Sequence, residues 1–362
     1  MDRTAVAADI KSMAGLRWCV MALAVVGVWM AVGAFPGVAE AHGPVDPVAT
    51  SYLARIARVP AGLDAKVVDG DLRLWLSVRP SVNAVVLDYR GAPYLRFSRS
   101  GVDVNVNSAI YYLNLTPVET PPSRVSPAIA PSWQQVSSGH EYSWHDGRLQ
   151  ALASVALAPG TTYVGRWSIP IVIDGHLSSI VGGLFYSPDP SIVWFWLIVV
   201  VLACTLAAWR VRRPALDLAV VRALAVGALV AIALAGVGRE LHGRPTVSVF
   251  QLITLAVIVA FVAWGLRRVL LQRPGYFSFF MISAVAIWEG AQLLPTLADG
   301  FVLAAVPAFI ARTAAVLCLG CGAGLLLFVF RLADQQISDS SDGGDWSDED
   351  DFEDIGAREA DA

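Results

Sequence analysis

From Ser191 to Arg331 the chain is predominantly apolar, and this constrains the fold more than anything else in its 362 residues. Five apolar segments are legible, near 192–210, 216–237, 247–266, 276–294 and 301–331, each long enough to cross roughly 30 Å of hydrocarbon. Lipid offers the backbone no hydrogen-bonding partner, so each segment predicts a helix that satisfies its own N–H and C=O groups. The loops predict an orientation. "RVRRPALD" and "RRVLLQRPG" are arginine-rich, and they alternate with the less basic "GRELHGRPT" and "PTLADG". Arginine-rich loops stay in the cytoplasm. Residues before 191 are therefore expected outside, and the C-terminus inside.

The N-terminus leads to the same orientation independently. Arg3, Lys11 and Arg17 precede "WCVMALAVVGVWMAVGAF", and Ala39-Glu40-Ala41 offers the small-x-small pattern of a signal-peptidase site. Residues 1–41 thus read as a leader. An uncleaved anchor helix is the alternative, since the run reaches about 18 residues. Either reading exports residue 42 onward. Only cleavage makes His42 the first residue, carrying a free α-amine beside its imidazole.

Between 42 and 190 the pattern changes. "DLRLWLSV" (71–78), "AVVLDY" (84–89), "PYLRF" (93–97), "VDVNV" (102–106), "TYVGRWSI" (162–169) and "SIVGGLFY" (179–186) alternate apolar and polar residues between turn formers. That is the signature of half-buried strands in an all-β sandwich. "TPVETPPSRVSPAIAPSW" (116–133) reads as a long proline-rich loop. The cysteines are Cys19 in the leader and Cys204, Cys318 and Cys321 in the apolar segments. The β region must therefore be held by its core and not by disulfides. The expected architecture is an Ig-like, CopC-like sandwich over 42–190, a five-helix transmembrane bundle over 191–332, and an acidic tail over 333–362.

The histidines are His42, His140, His145, His176 and His242, all on the expected outer side. Exclusion from membrane helices explains their location, but two contexts carry more. "PGTTYVGRWSIPIVIDGHLSSIVGGLFY" (159–186) resembles the closing strands of CopC-type periplasmic copper proteins, which end in a strand, an Asp-Gly-His turn and a final strand. That resemblance implies Cu(II) held by His42, Asp174 and His176, an amine, imidazole and carboxylate set suited to tetragonal Cu(II). An Asp-Gly turn joining two strands is also a common hairpin connection, which would leave His176 an ordinary turn residue. "YSWHDGRLQA" (142–151) and "GAPYLRFSRSGVDVNVNSAIYYLN" (91–114) resemble a group of uncharacterised actinobacterial membrane proteins. Those combine a leader, a β domain with W-H-D-H-R-x-H-W and a membrane tail. Trp144, His145, Asp146 and Arg148 match, whereas Gly147 and Gln150 replace two histidines. His145 and Asp146 are thus secondary metal candidates. The competing reading makes Trp144 a core residue and Asp146–Arg148 a structural pair.

In the apolar half, Glu289 and Arg312 are expected near the outer interface, close enough to pair. Cys318 and Cys321 lie one helical turn apart within "CLGCGAG". Thiol ligation of Cu(I) is conceivable there, but the Gly320–Gly324 spacing points to close helix packing. The tail from Asp334 is too acidic and too poor in apolar residues to fold, so 333–362 is expected to be a disordered cytoplasmic tail. A protein partner for it is open, and no basic, aromatic-interleaved patch suggests nucleic acid. No nucleophile–base pair, phosphate-cradling loop or paired carboxylates stand out, so an enzyme is not expected. Three functions remain: a plasma-membrane Cu(II)-binding module in copper handling, a metal-free envelope structural or interaction module, and a small transporter component.

Overall fold

The computed structural model describes residues 47–115, 128–150, 160–211, 213–243, 245–271 and 276–342. Chain order begins with β1 (Ala49–Thr50), β2 (Tyr52–Arg58), β3 (Leu63–Val68), β4 (Arg73–Val78), β5 (Ala84–Leu87), β6 (Pro93–Ser98) and β7 (Gly101–Asn105). Helix α1 (Ala109–Leu115) precedes β8 (Trp133–Ser137), β9 (Glu141–His145), β10 (Tyr163–Ile173) and β11 (His176–Tyr186). The strands form an antiparallel sheet in the order β2-β11-β10-β5-β6-β7-β8 and a smaller one in the order β3-β4-β9. They share one core: Leu74, Leu76 and Trp144 of the small sheet meet Val86, Leu95, Phe97, Ile169, Ile171 and Ile180 of the large one.

Every segment with clear apolar–polar alternation is a strand. β2, β3, β8 and β9 are further strands that the alternation does not mark, and for β8 the reason is burial. β8 is an outer strand whose Gln134, Gln135 and Val136 are all exposed, so no buried face imprints an alternation on its sequence. Proline-rich residues 116–127 lie outside the described residues.

The apolar half consists of α2 (Val193–Val211), α3 (Pro214–Glu240), α4 (Val249–Leu271), α5 (Tyr276–Gln292), the single turn α6 (Pro295–Ala298), β12 (Phe301–Val302) and α7 (Ala308–Asp342). Four of these helices are long and apolar enough to cross a membrane: α2, α3, α4 and α7 as far as Arg331. The chain is a membrane protein with a β domain. At 17 residues α5 spans about 26 Å by itself. It packs in the bundle interior, burying Phe279, Ile282 and Ala286 against α7 and α3.

Helix α7 is the hub. Ala314, Ala315, Cys318, Leu325 and Phe328 are all buried. Small residues set its distances. A Cβ on Gly320 would lie 2.9 Å from Val201 of α2, and one on Gly324 would lie 2.9 Å from Thr205. Gly322 faces α5 in the same way, 3.1 Å from Ala286. The expectation that this stripe packs helices is met. Dispersion between close backbones holds helices together in lipid, where the hydrophobic effect does not.

The expected fifth segment, 301–331, divides. Phe301 and Val302 pair antiparallel with Thr50 and Ala49, and the helix begins only after Pro307. These residues are apolar because they build a seam between bundle and sheet, not because they cross lipid.

Candidate functional site

Asp174 and Gly175 form the two-residue turn between β10 and β11, with Ile173 opposite His176. Their φ angles are 46° and 85°, the paired left-handed conformation of a type I′ hairpin that Asp-Gly favours. The turn is fixed from the side. Asp174 N donates to Asn83 O at 2.9 Å, and Asn83 N donates to Asp174 Oδ1 at 3.0 Å. One carboxylate oxygen therefore anchors the β4–β5 connection. Asp174 and His176 are both exposed, and Leu177 beside them is 73% exposed.

His42 lies outside the described residues. The described chain starts at the other end of this hairpin. Val48 is buried among bundle residues, its carbonyl accepts from Leu303 N at 2.8 Å, and Tyr52 sits opposite Tyr186. Ten residues of β11 separate Tyr186 from His176, about 33 Å of strand. Among the described residues no group of three or more His, Cys, Asp or Glu side chains is placed to hold a metal ion.

The Trp-His-Asp-Gly-Arg stretch is a structural knot. Asp146 is fully buried and accepts from Trp144 Nε1 at 3.0 Å, Arg148 Nε at 2.8 Å, Arg148 Nη2 at 2.6 Å and the Arg148 backbone at 3.1 Å. Arg148 also donates to Leu87 O at 3.0 Å, and its guanidinium lies 5.1 Å from the Tyr89 ring. The knot thereby ties β9 to β5. Tyr89 Oη accepts from Gly147 N at 2.8 Å, and burial together with the Asp146 charge pushes its pKa up. With every Asp146 oxygen engaged, the carboxylate is committed to structure. The His145 backbone is held on both sides by the Asn114 amide, which donates to its carbonyl and accepts from its N–H. Asn114 ends the 91–114 stretch, but nothing in the sequence marks it as the partner of His145.

A second group lies at the bundle end beneath the β domain. Glu289, 1% exposed, pairs with Arg239 of α3 at 3.4 Å, not with Arg312. Arg312 instead donates to the carbonyls of Thr296, Asp299 and Gly300 at 2.9, 3.2 and 3.1 Å. The correction has a physical cause: carbonyls in the last turn of α6 and just beyond it have no helical partners, and a guanidinium below them satisfies three at once. Ser51 Oγ donates to Asp299 Oδ1 at 3.1 Å, Gly300 abuts Ser187 too closely to admit a Cβ, and Ala305 N donates to Gly238 O at 2.8 Å. His242, in the neighbouring loop, has its pKa lowered by burial, partly offset by a hydrogen bond with the Ala304 backbone. The segment after β11 that joins the β domain to the bundle and the β1 segment at the start of the described chain are thus both held by the α5–α7 connection.

Asp71 is among the buried acids that no sequence motif marks, with Asp88, Asp103 and Glu240. Asp71 follows Asp69 and Gly70, with φ of 60° and 79°, in the β3–β4 turn, where Asp69 pairs with Arg73. Burial raises the Asp71 carboxyl to about 6. No family model matches this chain, and neither a curated protein nor a solved structure matches it.

Proposed function

We propose that this protein is a multi-pass plasma-membrane protein that holds a β-rich interaction module at a fixed attitude on the extracytoplasmic face. The seam carries this reading. The β1–β12 pairing, the Ser51–Asp299 bond and the close Gly300–Ser187 contact seat both ends of the module on the Arg312-capped connection. A flexible linker would give a tether; this arrangement suits a platform that presents its far pole, with exposed Leu177 and the Asp174 turn, to another protein at a set height. The placement of arginines supports the orientation. Arg210, Arg213, Arg267 and Arg331 all lie at the bundle end opposite the β domain, as the positive-inside rule requires of a cytoplasmic end.

Single-cysteine labelling with a membrane-impermeant maleimide tests the orientation. Leu177→Cys should label on intact cells and Leu271→Cys only after permeabilisation; the reverse pattern refutes it. Rigid seating is tested by Arg312→Gln, which should make the connections at 47–51 and 187–192 cleavable by added protease at wild-type expression levels. Unchanged resistance would show that the seam does not seat the module.

Copper handling through His42, Asp174 and His176 is the competing reading. Cu(II) titration of protein with an authentic His42 terminus separates the two. Tight one-to-one binding lost in His176→Ala would replace the platform reading with a metal-binding one.

A further inference from the structure

We infer that the acidic C-terminal tail docks on the arginine-lined end of its own helical bundle. Three exposed arginines lie at that end: Arg210 in the last turn of α2, Arg213 at the start of α3 and Arg267 just before the last turn of α4. The ends are brought together by Arg331 of α7, which donates to Trp209 O at 2.9 Å and pairs with Asp217 of α3 at 2.9 Å. Among the described residues up to Arg331, Asp217 is the acidic residue at this end, and Arg331 pairs with it; the next carboxylate, Asp334, follows on α7. The surface is left strongly positive, and the N-terminus of the 27-residue α3 adds its dipole to the same face.

The matching charge lies in the same chain. Residues 343–362 lie outside the described residues; they hold nine carboxylates against a single cation, Arg358, with Asp348, Glu349, Asp350, Asp351, Glu353 and Asp354 concentrated in seven positions. Their attachment point is favourable. The α7 backbone stays helical to Asp342, eleven residues past Arg331, or about 17 Å beyond the arginine plane. The acidic run lies six to twelve residues past Asp342, and a flexible chain of that length has a root-mean-square span of about 13–20 Å, comparable with the roughly 17 Å it would have to return. Tethering also gives it an effective concentration on the order of millimolar, which no free polyanion matches at ordinary levels. Lipid phosphate and the tail of a second copy are the other anions that could occupy this face.

The test uses the full-length protein, one copy per disc, in phosphatidylcholine nanodiscs, whose lipid carries no net charge. A donor is ligated to the C-terminus and an acceptor is placed by Leu271→Cys, 80% exposed at the end of α4, in a Cys19→Ser, Cys204→Ser background. Screening shortens from about 10 Å at 0.1 M salt to about 3 Å at 1 M. Energy transfer should therefore be about twofold higher at 0.1 M than at 1 M. It should be low and salt-independent in D348N/E349Q/D350N/D351N/E353Q and in R210Q/R213Q/R267Q, which alter no buried group. Wild-type transfer no higher than in these variants overturns the proposal and leaves lipid phosphate as the ligand of the arginines. Transfer that arises only when donor-only and acceptor-only molecules share a vesicle overturns it in favour of a second copy.

Discussion

The buried carboxylate of Asp146 offers the sharpest test of what holds the β domain together. Asp146→Ala would remove four accepted hydrogen bonds, three of them from Arg148, and strand the Trp144 indole N–H inside the core. The Arg148 side chain is only 15% exposed, so its guanidinium would lose its counter-charge without gaining full hydration. Breaking a buried pair from one side costs about 3–5 kcal/mol, chiefly because an uncompensated charge remains. Asp146→Asn keeps an oxygen for Trp144 but not the charge, and should cost about 2–3 kcal/mol. The domain and the bundle need not unfold together, so a single melting temperature is the wrong observable. Native-state hydrogen exchange in nanodiscs resolves them. Amides of β4, β5 and β9 should exchange about 10²- to 10³-fold faster in Asp146→Ala, at tenfold per about 1.4 kcal/mol, while α3 and α7 stay protected. A change under about fivefold in those strands would mean that the pair contributes no more than an exposed one, and the account of the knot would fail.

Further expectations follow from other sites. A Cβ on Gly182 would overlap the Arg55 carbonyl and the Trp167 ring, so Gly182→Ala should lower β-domain stability by at least about 1–3 kcal/mol in denaturant titration. Asp71 has a folded-state pKa of about 6 against an ordinary 3.8, so the folded chain holds that proton more tightly than the unfolded one. Its stabilising contribution is full below 3.8 and lost as pH rises to about 6, at most about 3 kcal/mol; Asp71→Asn should flatten the pH dependence of the unfolding midpoint in that window. Gly324→Leu should push α2 away from α7, since Thr205 already lies 2.9 Å from a Cβ there; disulfide trapping between cysteines at 201 and 320 would report the lost contact. If trapping is undiminished, the glycine stripe does not set that helix spacing.

What the sequence determined by itself was the part governed by local rules. Lipid demands long self-satisfied apolar runs, so the helices from Val193 to Leu271 were legible almost to their ends. A half-buried strand must alternate, so β4 to β7 were legible too, as was the Asp174-Gly175 turn, whose paired positive φ angles have few other solutions. The tertiary structure decided what depends on partners far away in the chain. Phe301 and Val302 look like membrane residues, and only their pairing with Thr50 and Ala49 makes them a seam. Glu289 and Arg312 read in sequence as a pair near the outer interface; packing gave the first to Arg239 and the second to carbonyls at and just after the end of α6. Asp146 and Asp174 carry identical side chains in similar Asp-Gly contexts, yet one is sealed beneath Trp144 and the other exposed at a hairpin tip. A carboxylate costs so much to bury that its surroundings dictate its role, and those surroundings come from segments that one-dimensional patterning does not bring together.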